Sequence, residues 1–387
     1  MLPPKHGRPF KMNNSSINDI IANSNRVVIK IGSALLIDSD NGKINSNWLS
    51  TIAEDVAALK KRGKQVILVS SGSIALGRQI LGLKMSKKLV ENQAAAAIGQ
   101  IELASSFREK LACHDIPVAQ VLLTYSNTEN RSQYLNARGT INRLLKLGVV
   151  PVINENDTVA TDEVRFGDND RLAARVASMC EADTLFLLSD IDGLYNADPK
   201  SDSNAEFIDY VEEITPEIKK MAGDPVSTGF GSGGMITKIA AAGIATTSGC
   251  NMVIINGTVN NPINEYIKNG RGTWFKASTT PLASKKKWIA GALSPVGTIV
   301  IDEGAAKALR NGKSLLPAGV VKVEGDFKRG DTVKVTGPDN REIARGLVAY
   351  ASEEATKIIG IKSSDIEQIL GYGGREELIH RSDLVMS

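Results

Sequence analysis

Cysteine is scarce. The chain of 387 residues holds three, Cys113, Cys180 and Cys250, far apart and without a Cys-x-x-Cys spacing. That pattern excludes a disulfide scaffold and reads as reduced, mostly buried thiols of a cytoplasmic protein. Long apolar runs are missing as well. No window reaches the roughly 18 uninterrupted apolar residues of a membrane span. The opening stretch MLPPKHGRPFKMNNSSIND carries basic residues but no apolar segment that would make it a secretory signal. Residues 1–23 read instead as a disordered polar tail. An excess of one charge is also lacking, since the formal net charge is +3, and the whole-chain balance implies no polyanionic partner. There is no internal repeat and no low-complexity tract.

What is present is a globular composition, 42% hydrophobic and 23% charged, on a chain long enough for two or three domains. Six short apolar runs punctuate the first two thirds: 26–31, 65–70, 117–123, 149–154, 184–189 and 251–256. Helical patterns separate them, over 47–62, 92–112, 130–147, 169–180 and 234–247, and Asn130 and Asn169 suit helix caps. Unalternating strands separated by helices predict a parallel sheet covered on both faces. Such sheets bind ligands at the carboxyl ends of their strands, so the loops after the strands are where chemistry is sought. Past Ala277 the texture changes. A polar, basic, proline-containing stretch reads as a linker, and alternating strands with Gly, Asp and Asn turns follow, as in a small β-rich barrel.

The strand-end loops are rich in small and charged residues. The first strand delivers Lys30-Ile31-Gly32-Ser33. A lysine inside an apolar strand is costly unless its ammonium meets an anion, and Gly32 and Ser33 leave room for a phosphate. A snorkelling edge lysine in an ordinary turn is the competing reading. The second strand runs into SSGSIALG (70–77), an anion nest or simply a well-capped helix. The fourth opens PVINENDTVATDEVRFGDND (151–170), with six carboxylates between Asn154 and Asp170 and two asparagine-acid pairs. The fifth ends Leu188-Ser189-Asp190 before a turn-rich loop. Later comes STGFGSGGMITK (227–238), where Gly229, Gly231 and Gly234 match GxGxxG. No strand directly precedes it and no acid falls between Pro225 and Asn264, so it is not the dinucleotide fingerprint; without Gly-Lys-Ser/Thr it is not a Walker A loop either. A flexible loop with Ser232, Thr237 and Lys238 remains, suited to cradling nucleotide phosphates. Two lysines, several anion nests and an acidic loop at one sheet edge are the parts list of phosphoryl transfer.

These stretches resemble a known family. VVIKIGSALL, VILVSSGSIALG, LLTYSNTENRSQYLNARGT, PVINENDTVAT, FGDNDRLAA, LLSDIDGLYNADP and GFGSGGMITK, in that order, resemble the glutamate 5-kinase branch of the amino acid kinase family, in its long form with a C-terminal PUA domain. The resemblance implies an α/β fold, a sandwich with a mainly parallel central sheet flanked by helices, plus a small β-barrel-like PUA domain. It implies a catalytic domain over 24–276, a linker over 277–293, a PUA domain over 294–375 and a C-terminal tail over 376–387. The implied reaction is ATP-dependent phosphorylation of the L-glutamate side-chain carboxylate, the first step of proline biosynthesis. Magnesium is the implied metal, with no ligands assigned, L-proline the implied feedback inhibitor, and a homo-oligomer, dimer or tetramer, the implied assembly. Lys30 and Lys238 match the phosphate-stabilising lysines and Asp168 the carboxylate that orients them. Ser71, Asp157 and Asn169 match the glutamate-binding positions. Lys30, Gly32, Ser189 and Asp190, with Ser232, Gly233, Gly234, Met235, Ile236, Thr237 and Lys238, match the nucleotide site. Asp170 falls in the same motif with no single role assigned. A carboxylate is already a nucleophile, so no general base is required, and none of His6, His114 and His380 lies in these loops.

Kinases of acetylglutamate, aspartate, carbamate or UMP share the fold and compete as readings. A free α-amino group calls for an acid such as Asp157, and an α-carboxylate for Ser71 and its neighbouring N–H groups. The acidic loop therefore favours an unacetylated amino acid. A second class is RNA binding through the PUA domain, but from Trp288 to Ser387 there are 13 Lys and Arg against 14 Asp and Glu. A net of about −1 is no electrostatic footprint for a polyanion.

Overall fold

The structure, a computed structural model, describes residues 21–38, 41–86, 88–159, 169–222, 234–290 and 295–387. The chain divides into two compact units, one of residues 1–129 and 137–281, the other of 130–136 and 282–387.

The first unit is built on an eight-stranded sheet. Its strands are β1 (Arg26–Ile31), β2 (Gln65–Val69), β3 (Val118–Leu123), β4 (Val150–Glu155), β5 (Thr184–Ser189), β8 (Tyr210–Val211), β9 (Asn251–Asn256) and β10 (Gly272–Phe275), and they lie in the order β3-β4-β2-β1-β5-β9-β10-β8. The strands β6 (Leu194–Tyr195) and β7 (Phe207–Ile208) form a separate hairpin. Every pairing from β3 to β9 is parallel, and β10 turns antiparallel to β9. The six apolar runs of the sequence are thus six parallel strands. Four residues, GTWF, are too short a run to stand out, and β10 was not expected.

The helices that matter for the site are α1 (Ser46–Lys61), α2 (Ser73–Leu81), α3 (Leu89–Ala112), α4 (Arg131–Lys146), α5 (Asn169–Met179), α6 (Met235–Thr247) and α7 (Pro262–Asn269). One core packs the sheet against α1 and α3, with Val27, Ile29, Trp48, Ile52, Val56, Leu68, Phe107 and Phe186 buried in it. Ile21, read from the sequence as polar tail, is also buried in this core, and residues 1–20 lie outside the described segments. Two helices meet unusually closely. A Cβ on Gly77 of α2 would sit 1.7 Å from the Ala95 carbonyl oxygen of α3, and one on Gly99 of α3 would sit 1.8 Å from the Ser73 carbonyl oxygen. Only glycine permits that contact, and it fixes where α2 begins.

The second unit carries a five-stranded sheet of β11 (Gly297–Ile301), β12 (Val320–Glu324), β13 (Thr332–Thr336), β14 (Glu342–Leu347) and β15 (Leu384–Met386), in the order β12-β11-β13-β14-β15. Ile299, Phe327, Val333, Val335, Tyr350 and Ile379 are buried in its core. Two boundary expectations are corrected. The stretch read as a linker contains helix α8 (Pro281–Ala290), with proline at its first position, where a missing N–H costs nothing. The stretch read as a C-terminal tail supplies β15 and the buried Leu378, Ile379 and Leu384, so it completes the second core. Among the described residues no helix is long and apolar enough to cross a membrane.

Candidate active site

The carboxyl ends of β1, β2, β4 and β5 converge beside the centre of the first sheet, where strand order switches direction around β1. There they line a cavity of about 490 Å³. Lys30 enters it from β1, Ser71 and Gly72 follow β2, Asn154, Glu155 and Asp157 come from the end of β4, and Ser189 and Asp190 end β5. Asn169 opens α5, and Lys238 reaches in from the first turn of α6.

Charge at one end of the cavity is organised by a single carboxylate. Asp170 is 1% exposed and faces both lysines, with Lys30 Nζ 2.5 Å from Oδ1 and Lys238 Nζ 3.2 Å from Oδ2. The Thr237 hydroxyl donates to Oδ2 at 2.9 Å. Burial pushes the Asp170 carboxyl up, but the charges of Lys30 and then Lys238, with their hydrogen bonds, outweigh it and hold the group below the usual carboxylate range. Two buried ammoniums are tolerable only with such a counter-charge. The sequence reading had given this role to Asp168. Asp168 lies outside the described residues, and the acid between the lysines is Asp170, in the first turn of α5.

The neighbouring wall is a hydrogen-bond network of amides and hydroxyls. Asn169 Nδ2 donates to the Ser70 carbonyl at 2.9 Å, to Ser71 Oγ at 2.8 Å and to Asn154 Oδ1 at 3.2 Å. The Glu155 backbone N–H also donates to Asn154 Oδ1. Among the described residues this leaves two buried polar atoms without a partner, Asn154 Nδ2 and Asn169 Oδ1. Both residues line the cavity, so one donor and one acceptor are in place for a ligand. Asn154 was quoted in the sequence only as the start of the acidic stretch. Its signal was available: an amide ending an apolar strand that is buried along its whole length.

Asp157 stands apart from the lysines and is buried, with its Oδ2 accepting from Ser73 Oγ at 2.8 Å. Burial pushes its carboxyl up, the Ser73 bond opposes that in part, and the net is about 6. An acid poised in this way gains most from a cation arriving in the cavity.

Lys30, Gly32, Ser71, Asp157, Asn169, Ser189, Asp190 and Lys238 are therefore brought together around one space. Thr237 is turned to Asp170, Gly234 caps α6, and Met235 and Ile236 sit in its first turn outside the cavity lining. Ser232 and Gly233 lie outside the described residues. A cavity that holds two lysines on a shared acid, and an acid with no ion-pair partner among the described residues, can accept a phosphoanion and a small zwitterion together.

Comparison with known proteins follows the same division. The model of the amino acid kinase family matches residues 25–256, and that of the PUA domain matches residues 297–370. The glutamate 5-kinase of Paramagnetospirillum magneticum is 56% identical over 366 residues, covering 95% of this chain and 99% of that protein. The glutamate 5-kinase of Agrobacterium fabrum is 56% identical over 368 residues, covering 95% and 94%. Among solved structures, carbamate kinase from Giardia lamblia bound to AMP-PNP covers 66% of this chain and 99% of its own, at 15% identity and a TM-score of 0.48.

Proposed function

Since the chain belongs to the amino acid kinase family, we propose that it transfers the γ-phosphoryl group of ATP to the side-chain carboxylate of L-glutamate, giving L-glutamate 5-phosphate and ADP in the first step of proline biosynthesis. One observation carries the reading: a lysine pair held by Asp170 shares a single cavity with Asp157, an acid free to receive an α-ammonium.

The chemistry follows from that placement. A glutamate oxygen attacks the γ-phosphorus, the new O–P bond forms, and the bond to the bridging oxygen breaks to release ADP. The carboxylate is ionised at neutral pH, so no proton has to be removed. Lys30 and Lys238 face the equatorial oxygens, where negative charge is spread in the transition state. Asp170 holds both ammoniums in place, and so acts through them. Asp157 takes the substrate ammonium, while the orphan donor of Asn154 and the Ser71 hydroxyl are available to its carboxylate. An acetylated substrate would bury Asp157 with no cation to offset its charge, which is costly. Ser189 and Asp190 remain for the nucleotide.

Magnesium on the ATP phosphates would add charge neutralisation there. Among the described residues no three His, Cys, Asp or Glu are grouped to hold a metal. Inhibition by L-proline at the glutamate position, assembly into a dimer or tetramer and a cytoplasmic location belong to the same proposal and rest on the resemblance. In the PUA unit Lys322, Arg341, Arg345 and Arg375 each pair with an acid, which supports a role other than RNA binding. The test is ADP release with L-glutamate, N-acetylglutamate and L-aspartate in turn. Turnover on glutamate alone, lost in Lys238→Ala, is expected; preference for either other substrate overturns the reading.

A further inference from the structure

Ser73 is the first residue of α2, yet its side chain does not cap its own helix. The residue before it, Gly72, holds φ at 106° and contributes no side-chain cap. The Ser73 hydroxyl instead crosses 84 residues of sequence to donate to Asp157 Oδ2 at 2.8 Å. Ser73 is 3% exposed and Asp157 6%, and both line the cavity. No other hydrogen bond to the Asp157 side chain is present among the described residues, and Asp157 lines the cavity. The donor is also rigidly placed. The close glycine contacts of α2 on α3, at Gly77 with Ala95 and at Gly99 with Ser73 itself, leave the start of α2 no room to move.

We propose that Ser73 is a positioning residue for substrate selection: its hydroxyl holds one oxygen of Asp157, so that the second carboxylate oxygen receives the substrate's α-ammonium. This inference rests on the glutamate reading above. A buried acid with one donor depends heavily on it, because a hydrogen bond to the charged form is the term that opposes desolvation. The other charged groups around the cavity are Lys30, Arg78, Glu155, Asp190 and Lys238. Of these, Glu155 and Asp190 are the carboxylates to be separated from Asp157, and an Asp157→Asn control does so.

The experiment measures kcat and KM for glutamate and for ATP from pH 5 to 8 in the wild type, Ser73→Ala, Ser73→Thr and Asp157→Asn. Loss of one hydrogen bond to a charged group corresponds to about a tenfold loss or more. Ser73→Ala is expected to raise the glutamate KM by about that factor near neutral pH. It should also move the acid limb of kcat/KM for glutamate upward and leave the ATP KM unchanged. Ser73→Thr, which keeps the hydroxyl, should restore both. Asp157→Asn should lose the limb. An unchanged glutamate KM and limb in Ser73→Ala, a Thr variant no better than Ala, or parallel losses for both substrates would overturn the inference. The carboxyl titration of Asp157 followed by 13C NMR in unliganded protein decides the matter without turnover. A midpoint raised in Ser73→Ala supports the inference even if glutamate proves not to be the substrate. Equal midpoints refute it even if glutamate is confirmed.

Discussion

Replacing Asp170 by Asn is the most revealing perturbation of the site. The side chain is nearly isosteric, so shape is kept and one charge is removed. At 2.5 and 3.2 Å, and with an effective dielectric of about 20, the two lysine contacts carry gross attractions of about 7 and 5 kcal/mol. Desolvation of three buried charges cancels most of that. What is felt on removing one partner is the cost of leaving the others uncompensated, about 3–5 kcal/mol. For a unit of this size that corresponds to a fall in Tm of about 10 °C. Catalysis suffers separately, because the ammoniums that face the transferring phosphoryl group lose their common anchor. We expect kcat for ADP release to drop by at least about 100-fold, the scale of losing one preorganised charge stabiliser. MgATP supplies the missing negative charge, so it should raise the Tm of Asp170→Asn more than that of the wild type. Calorimetry and the coupled ADP assay give both readings. A variant within about 2 °C in Tm and threefold in kcat would refute the assignment of Asp170 as the anchor of the lysine pair.

Other outcomes follow from the same geometry. Because the Asp157 carboxyl is pushed up to about 6, its ionised fraction falls as pH drops through that value, and kcat/KM for glutamate should fall about tenfold per pH unit below it while the ATP KM holds. Asp55, 1% exposed, accepts from the Ile263 and Asn264 backbone N–H groups at the start of α7, and burial pushes its carboxyl up to about 6. A folded value above the unfolded one means that its contribution is complete below about pH 4 and lost as pH rises through about 6. Urea titrations at pH 5 and 7.5 should therefore show a drop of about 1.4 kcal/mol that is reduced in Asp55→Asn. Gly77→Ala, whose Cβ would lie 1.7 Å from the Ala95 carbonyl oxygen, should cost upwards of about 3 kcal/mol by overpacking and raise the glutamate KM, because α2 starts at the site.

The central sheet was legible because parallel strands buried on both faces must be apolar throughout, and all six runs stood out. The second edge of that sheet was not: β10 is four residues long, β8 is two, and both follow polar segments. The basic stretch SKKKW hid α8, since its helix depends on proline at the first position rather than on an apolar stripe. β15 was missed for a related reason, because three residues at a chain end acquire meaning only from the strand they pair with. At the site, sequence singled out Lys30, because a charge inside an apolar strand calls for a partner, and Lys238, because it follows a glycine-rich loop. Which acid partners them was beyond it. Asp168 and Asp170 stand two positions apart in one motif, and the sequence alone offers nothing to choose between them. Ser73 was equally hidden, because its bond spans 84 residues and only the fold brings it to Asp157.

The most direct measurement traps the product. Purified protein is incubated with MgATP and L-glutamate in the presence of hydroxylamine, which converts an acyl phosphate to a hydroxamate. The account requires γ-glutamyl hydroxamate formed in step with ADP, absent without ATP and absent when N-acetylglutamate or L-aspartate replaces glutamate. ADP released without hydroxamate, or hydroxamate formed only from another acid, would contradict it.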